Sequence, residues 1–159
     1  LWLGERNLTK LPKEIGKLVK LKELNLRRNH LRMIPSEIGN LSQLKLLDLA
    51  FNQLQELPRE IRSLSQLKTS LPGEIGNLSQ LDYLELTDNQ LEAVPGRIGG
   101  LSQLQNLFLS GNKLTSLPRE VGDLSQLKIL YLGNNQFEEF PRGIGRLSQL
   151  QNLSLSGNK

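Results

Sequence analysis

The tetrapeptide LSQL sets a ruler along this chain. Its closing leucine falls at Leu44, Leu67, Leu81, Leu104, Leu127 and Leu150, and Leu21 holds the same place after a variant LVK. Successive intervals are 23, 23, 14, 23, 23 and 23 residues. A full unit, "LKELNLRRNHLRMIPSEIGNLSQ" from Leu21 to Gln43, follows the skeleton LxxLxLxxNxLxxLPxxIGxLSQ. Seven copies are visible, one of them partial, and the chain opens inside an eighth. Such a period marks stacked supersecondary units, none of which can bury its apolar side alone. Each unit then touches only its neighbours, so the array is effectively one-dimensional.

Within Leu21–Gln43 two local patterns meet. Leu24 and Leu26 alternate with Glu23, Asn25 and Arg27, the period-2 signature of a short strand with one face buried. Stacked units would place these strands side by side in a parallel sheet of about seven, roughly 4.8 Å apart. An asparagine follows at Asn29, Asn52, Asn89, Asn112, Asn135 and Asn158. A buried Asn can pair backbone groups that a turn leaves open, in its own coil and in the next. Arg6 stands there in the first coil, which predicts a frayed first coil. Then comes "IPSEIG", where proline suits the start of a short helix and Gly39 its end. Leu31, Ile34, Ile38 and Leu41 complete the core layer. Phe137 and Phe140 occupy leucine positions and are expected inside it.

These motifs resemble the leucine-rich repeat family in its 23-residue LPxxIGxL form, over essentially the whole chain. The chain is most similar to the intracellular branch found in Ras-associated scaffolds, plant disease-resistance proteins and bacterial repeat proteins. The resemblance implies an α/β fold: an open, right-handed solenoid with a parallel concave β-sheet and short convex helices or 3-10 turns. It also implies a non-enzymatic protein-binding module. Residues 1–159 are expected to form a single array, a fragment of a longer chain, with an irregular short unit at 67–80.

That short unit, "LKTSLP" after Leu67, lacks nine residues: the strand core and the Asn turn. Two folded arrangements compete. In one, Lys68–Leu71 makes a poor strand and pinches the sheet. In the other, the strand of Leu44–Leu49 pairs directly with that of Leu81–Leu86, and the chain between stays on the convex side. The second is preferred, because a gap in the ladder orphans backbone groups while extra loop length costs little. A deletion artefact in the gene is the third possibility.

Catalytic chemistry finds little to work with. The chain has no cysteine and one histidine, His30, placed just after an Asn turn where an exposed loop residue is expected. A Cys–His pair or a zinc cluster therefore cannot be assembled. Phosphate-binding glycine motifs such as GxGxxG and GxxxxGK[ST] are absent. The glutamates of LPxE (Glu14, Glu37, Glu60, Glu74, Glu120) recur as a convex row that suits helix starts better than acid–base work. We expect no enzyme activity, no cofactor and no metal.

The variable positions are the outward-facing ones on the strands. One column reads Trp2, Asn25, Asp48, Glu85, Phe108, Tyr131 and Ser154, and the column before it Glu23, Leu46, Tyr83, Asn106, Ile129 and Asn152. Two later columns carry Arg27 and Ala50, then Glu5, Arg28, Phe51 and Asp88. Of seven aromatics, the five outside the core all fall here: Trp2, Phe51, Tyr83, Phe108 and Tyr131. Exposed aromatics gathered on one face mark an interaction surface, although aromatics also favour strands for their own sake. The candidate partner site is Tyr83, Glu85, Asp88, Phe108, Ile129 and Tyr131, extended by Leu46, Asp48, Phe51 and Trp2.

The net charge is +4, yet these columns hold Glu5, Glu23, Asp48, Glu85 and Asp88 against only Arg27 and Arg28. The bases lie elsewhere, as in Lys10, Lys13, Lys17 and Lys20. The expected partner is a protein or peptide ligand with a basic patch, in signalling or host interaction. No nucleic acid is expected, since no basic stripe runs between the aromatics. The alternative is a structural or anionic-membrane-surface scaffold acting through the basic convex side. A cysteine-free interior points to a reducing, cytoplasmic setting. Secretion is the alternative, as sequons occur at Asn7, Asn40, Asn77 and Asn152, though the recurring NLS string generates sequons by itself.

Overall fold

The computed structural model describes residues 1–57 and 78–159. Each coil contributes a three-residue strand: β1 Glu23–Asn25, β2 Leu46–Asp48, β3 Tyr83–Glu85, β4 Asn106–Phe108, β5 Ile129–Tyr131 and β6 Asn152–Ser154. They form one parallel sheet in chain order, the inner wall of an open, right-handed solenoid. Six strands form where the repeat count predicts about seven; Trp2 adds only a single bridge to Asn25.

The leucine alternation sets the core. Leu24, Leu47, Leu84, Leu107 and Leu130, with Leu26, Leu49, Leu86, Leu109 and Leu132, are fully buried. Leu31, Ile38 and Leu41 close the same layers from the outer side. Phe137 is buried, as its leucine position predicts. Phe140 is not: its ring is 59% exposed and lines an open groove with Leu117 and Pro141. At the same place in earlier coils Val94 is buried and Leu117 partly buried.

Between strands the outer arc makes 3-10 turns, and no α-helix forms among the described residues. Pro35 stands in extended backbone just before the turn Ser36–Asn40, and its carbonyl accepts the N–H of Ile38 at 3.1 Å. Pro12, Pro95, Pro118 and Pro141 precede equivalent five-residue turns. Proline fits because its missing N–H is not needed there. Gly39 lies inside its turn, one residue before the end, rather than terminating it. The reason is visible at the equivalent Gly16, where a Cβ would stand 2.7 Å from the Glu37 carbonyl oxygen of the next coil. The glycine permits close stacking of outer turns.

The asparagines join the coils. Asn52 Oδ1 accepts the Leu31 N–H of the preceding coil at 3.0 Å. Its Nδ2 donates to Leu26 O of that coil and to Leu49 O of its own, both at 3.0 Å. Asn89, Asn112 and Asn135 repeat the pattern, and all are at least nine-tenths buried. Each asparagine thus reaches back by one coil. That overturns the expected fraying at Arg6. The first coil is closed by Asn29, whose Oδ1 accepts from Arg6 N at 3.1 Å and Leu8 N at 2.9 Å. Its strand-level bonds also form, Leu3 N to Asn25 O at 2.8 Å and Glu5 N to Arg27 O at 3.0 Å.

The stitching is indifferent to sequence distance. β2 pairs directly with β3 across a 37-residue interval, Leu46 opposite Tyr83, as the second arrangement requires. Leu54 N–H reaches Asn89 Oδ1 at 3.0 Å as though the coils were 23 residues apart. The short unit at 67–80, including the convex path expected for it, lies for the most part outside the described residues.

Replacing Asn112 by alanine removes one acceptor and the donors to Leu86 O, Leu109 O and Ser110 O. Each buried group left unpaired costs about 1–3 kcal/mol. We expect Asn112→Ala to lower the unfolding free energy by about 3 kcal/mol in urea titration. A loss below about 1 kcal/mol would mean that water replaces the amide.

Candidate functional site on the concave sheet

The strands present two outward columns. In register, Trp2, Asn25, Asp48, Glu85, Phe108, Tyr131 and Ser154 form one, and Glu23, Leu46, Tyr83, Asn106, Ile129 and Asn152 the other. This is the arrangement the repeat alignment predicts. The structure brings three of the five aromatics together. The Tyr83 and Phe108 rings lie 5.2 Å apart, tilted by 44°, and Phe108 and Tyr131 lie 5.2 Å apart nearly edge to face. Separations of this kind are the favoured ones for aromatic pairs, worth about 0.5–1.5 kcal/mol beyond area burial. Tyr83 crosses from one column to the other to join this ladder. Ile129 lies in the Tyr83 column on β5, and Leu46 directly opposite Tyr83 on β2.

Trp2 and Phe51 are not part of the ladder. Trp2 sits at the far edge of the sheet, 71% exposed. Phe51 lies in a different kind of position. Its column, expected to face outward from the strands, is where the backbone leaves the sheet. Glu5, Arg28, Phe51, Asp88 and Asn134 there have φ between 52 and 55°, and Gly111 and Gly157 have φ of 66 and 74°. A left-handed conformation is uncommon for a bulky residue such as Phe and costs on the order of 1 kcal/mol. At Gly111 the Asp88 side chain fills the space that a Cβ would need. Phe51 has company instead: the Arg27 guanidinium carbon lies 4.5 Å from its ring centre and that of Arg28 5.5 Å. The Arg27 stacking escapes a reading of single columns, because Arg27 and Phe51 lie in adjacent columns on adjacent coils, whereas Arg28 shares the Phe51 column.

The carboxylates have local duties as well. Asp48 Oδ1 accepts the Ala50 N–H at 3.1 Å, and its Oδ2 accepts Asn25 Nδ2 at 3.0 Å. Glu85 Oε1 accepts the Thr87 N–H at 2.9 Å. Both therefore hold the strand exit while facing the groove. Asp88 is exposed. Burial, then the Glu85 and Asp48 carboxylates, raise the Tyr83 phenol above its ordinary value, with Arg27 opposing them. His30 is exposed, as expected, with Nδ1 3.3 Å from Gln53 Nε2. Among the described residues no group of His, Asp or Glu side chains is placed to hold a metal ion, and no helix is long and apolar enough to cross a membrane.

Two measurements check this geometry. With Tyr131→Phe the only phenol left is Tyr83, and its ultraviolet titration should show a midpoint above about 10. The fold favours the neutral phenol, so its contribution to stability is full below about pH 10 and is lost as pH rises through the folded-state value. A midpoint at or below the ordinary value would contradict the burial of Tyr83. Separately, Phe51→Asn suits the left-handed backbone. It should leave stability unchanged or raise it by up to about 1 kcal/mol in thermal unfolding, and a loss would show that the arginine contacts outweigh the strain.

A family model described as "Leucine-rich repeat region" matches residues 4–71 and 70–158. No curated protein sequence matches significantly. Among solved structures, a leucine-rich-repeat protein of Leptospira interrogans is 40% identical with a TM-score of 0.85, covering 96% of this chain and 36% of its own. The ectodomain of the membrane receptor kinase GASSHO1/SCHENGEN3 of Arabidopsis thaliana, solved in complex with CASPARIAN STRIP INTEGRITY FACTOR 2, is 38% identical with a TM-score of 0.74. It covers 94% of this chain, which spans 17% of that ectodomain. An internalin from Listeria monocytogenes, 24% identical with a TM-score of 0.70 over 91% of this chain and 37% of its own, shares the fold. The chain spans little more than a third of the first of these proteins. With the asparagine-stitched solenoid in view and the family model covering nearly all of its length, the chain belongs to the leucine-rich repeat family.

Proposed function

We propose that this array is a non-enzymatic recognition module that holds a protein or peptide segment against its concave sheet, in signalling or host interaction. The observation that carries this reading is the continuous Tyr83–Phe108–Tyr131 ladder. Three rings on a solvent-facing sheet offer large, rigid contact area at low entropic cost, and such residues dominate interface energetics. The plant receptor ectodomain solved with its bound factor supports the same kind of partner. The cysteine-free chain supports a reducing, cytoplasmic setting.

Size limits what the sheet can do alone. Six strands at about 4.8 Å, with outward residues spanning about 15 Å, make a face of roughly 450 Å². A stable complex buries about 800 Å² per partner. Loops beside the Asn turns, or further repeats of a longer protein, would supply the remainder.

The test is a double substitution, Phe108→Ala with Tyr131→Ala, assayed by pull-down and calorimetry against a cognate partner. Truncating central aromatic anchors costs about 2 kcal/mol or more, so affinity should fall well over tenfold while the leucine core keeps its fold. Glu120→Lys, on the outer turns, should change little. Loss of binding from the outer change alone would place the site on the other face. The rival reading, an anionic-membrane scaffold, draws on the exposed Lys10, Lys13, Lys17 and Lys20 of the first coil. Salt-sensitive co-sedimentation with anionic vesicles would favour it.

A further inference from the structure

Strand register sets two carboxylates side by side on the concave face. Asp48 on β2 stands directly opposite Glu85 on β3, and Glu85 directly opposite Phe108 on β4. Tyr131 follows in the same column on β5. Neighbouring strands lie about 4.8 Å apart, and like charges directly opposite each other destabilise a sheet. Nothing in the chain offsets this pair. Among the described residues no lysine or arginine nitrogen lies within 4.0 Å of either carboxylate. Two of the nearest bases are engaged elsewhere: Arg27 stacks on the Phe51 ring at 4.5 Å, and Lys128 Nζ donates to Gln105 Oε1 at 2.9 Å. Lys45, at the entry to β2, is exposed. Charge on the first two coils is mixed, with Glu5 and Glu23 beside Arg27 and Arg28, so the uncompensated charge is local to β2 and β3. After burial, the same two carboxylates raise the neighbouring Tyr83 phenol, as a negative local potential requires.

We propose that Asp48 and Glu85, with the Phe108 ring beside them, form a seat for the side-chain ammonium of a lysine on a partner protein. This rests on the concave-face reading above and specifies the partner's chemistry at one point of the ladder. A bound cation would offset the repulsion between the two carboxylates. The aliphatic stem of a lysine would cover the adjacent ring, whose face also attracts the charge. Lysine fits better than arginine. A guanidinium fork binds best to two open oxygens of one carboxylate. Neither carboxylate keeps both oxygens open here: Glu85 Oε1 accepts the Thr87 N–H, Asp48 Oδ1 the Ala50 N–H and Asp48 Oδ2 the Asn25 amide. The remaining lone pairs are scattered over two residues. The three rotatable donors of an ammonium can reach them one by one.

The experiment has two arms. In thermal unfolding of the 159-residue chain at low salt, Glu85→Gln should raise Tm by about 1–3 °C. The glutamine oxygen still accepts from Thr87 while the repulsion is gone. An unchanged or lower Tm would show that no uncompensated repulsion stands there, and would overturn the proposal. In two-dimensional NMR at constant ionic strength, butylammonium chloride should move the Tyr83, Glu85 and Phe108 signals, and butylguanidinium chloride should move them less. Glu85→Gln should abolish the butylammonium response. The proposal is overturned if butylammonium moves nothing, if its response survives Glu85→Gln, or if butylguanidinium does as well or better. If butylammonium fails while Phe108→Ala with Tyr131→Ala still weakens a cognate partner, only the lysine seat falls. If butylammonium behaves as expected and that double change leaves the partner's affinity unaltered, the ladder reading falls instead.

Discussion

An asparagine amide has two donor hydrogens and one acceptor oxygen, and in this solenoid they are divided between two coils. Strands of three residues cannot hold coils together through sheet bonds alone. The buried amide adds an acceptor for the turn of the coil before and donors for strand-end carbonyls of both coils. Backbone groups at a turn are usually satisfied by water on a surface. Here they lie inside a wall of leucine, where an unpaired group is costly. Without these amides the leucine layers would stack over a seam of orphaned groups.

The one-coil backward reach decides other features. It explains why the Arg6 coil is closed by Asn29 of the next coil and why a 37-residue interval leaves the ladder intact. The backbone turns left-handed just before each asparagine, and before Arg6 as well, so the bend belongs to the repeat and not to the amide alone. That bend carries Asp88 and the strained Phe51 to the rim of the concave face, where they can meet a partner. The scaffold and the candidate site are therefore not independent: Asp48 and Glu85 cap the strand exit with one oxygen and face the groove at the same time.

Much of this was legible beforehand, for a physical reason. Leucines at a fixed period determine which residues are buried, and the two-residue strand period determines which face outward, so the aromatic columns follow by counting. What counting missed was local or depended on neighbours. Phe140 occupies a leucine position yet stands exposed. The left-handed bend was hidden because Glu5, Arg28 and Phe51 stand where glycine or asparagine would have announced it; Gly111, Gly157 and Asn134 in the same column were the available signal. The stacking of Arg27 on Phe51 runs diagonally between columns. Gly39 looked like a stop because its neighbour in the next coil cannot be seen in one repeat.

The direct junction of β2 with β3 has a mechanical side. A solenoid pulled from its ends peels coil by coil, and each rupture lets out the chain stored in one coil. Most junctions would release 23 residues; this one releases 37. The extra length is 14 residues, about 50 Å of contour at 3.3–3.6 Å per residue. Under tension the array would lengthen there by a longer stride than anywhere else in the described sheet.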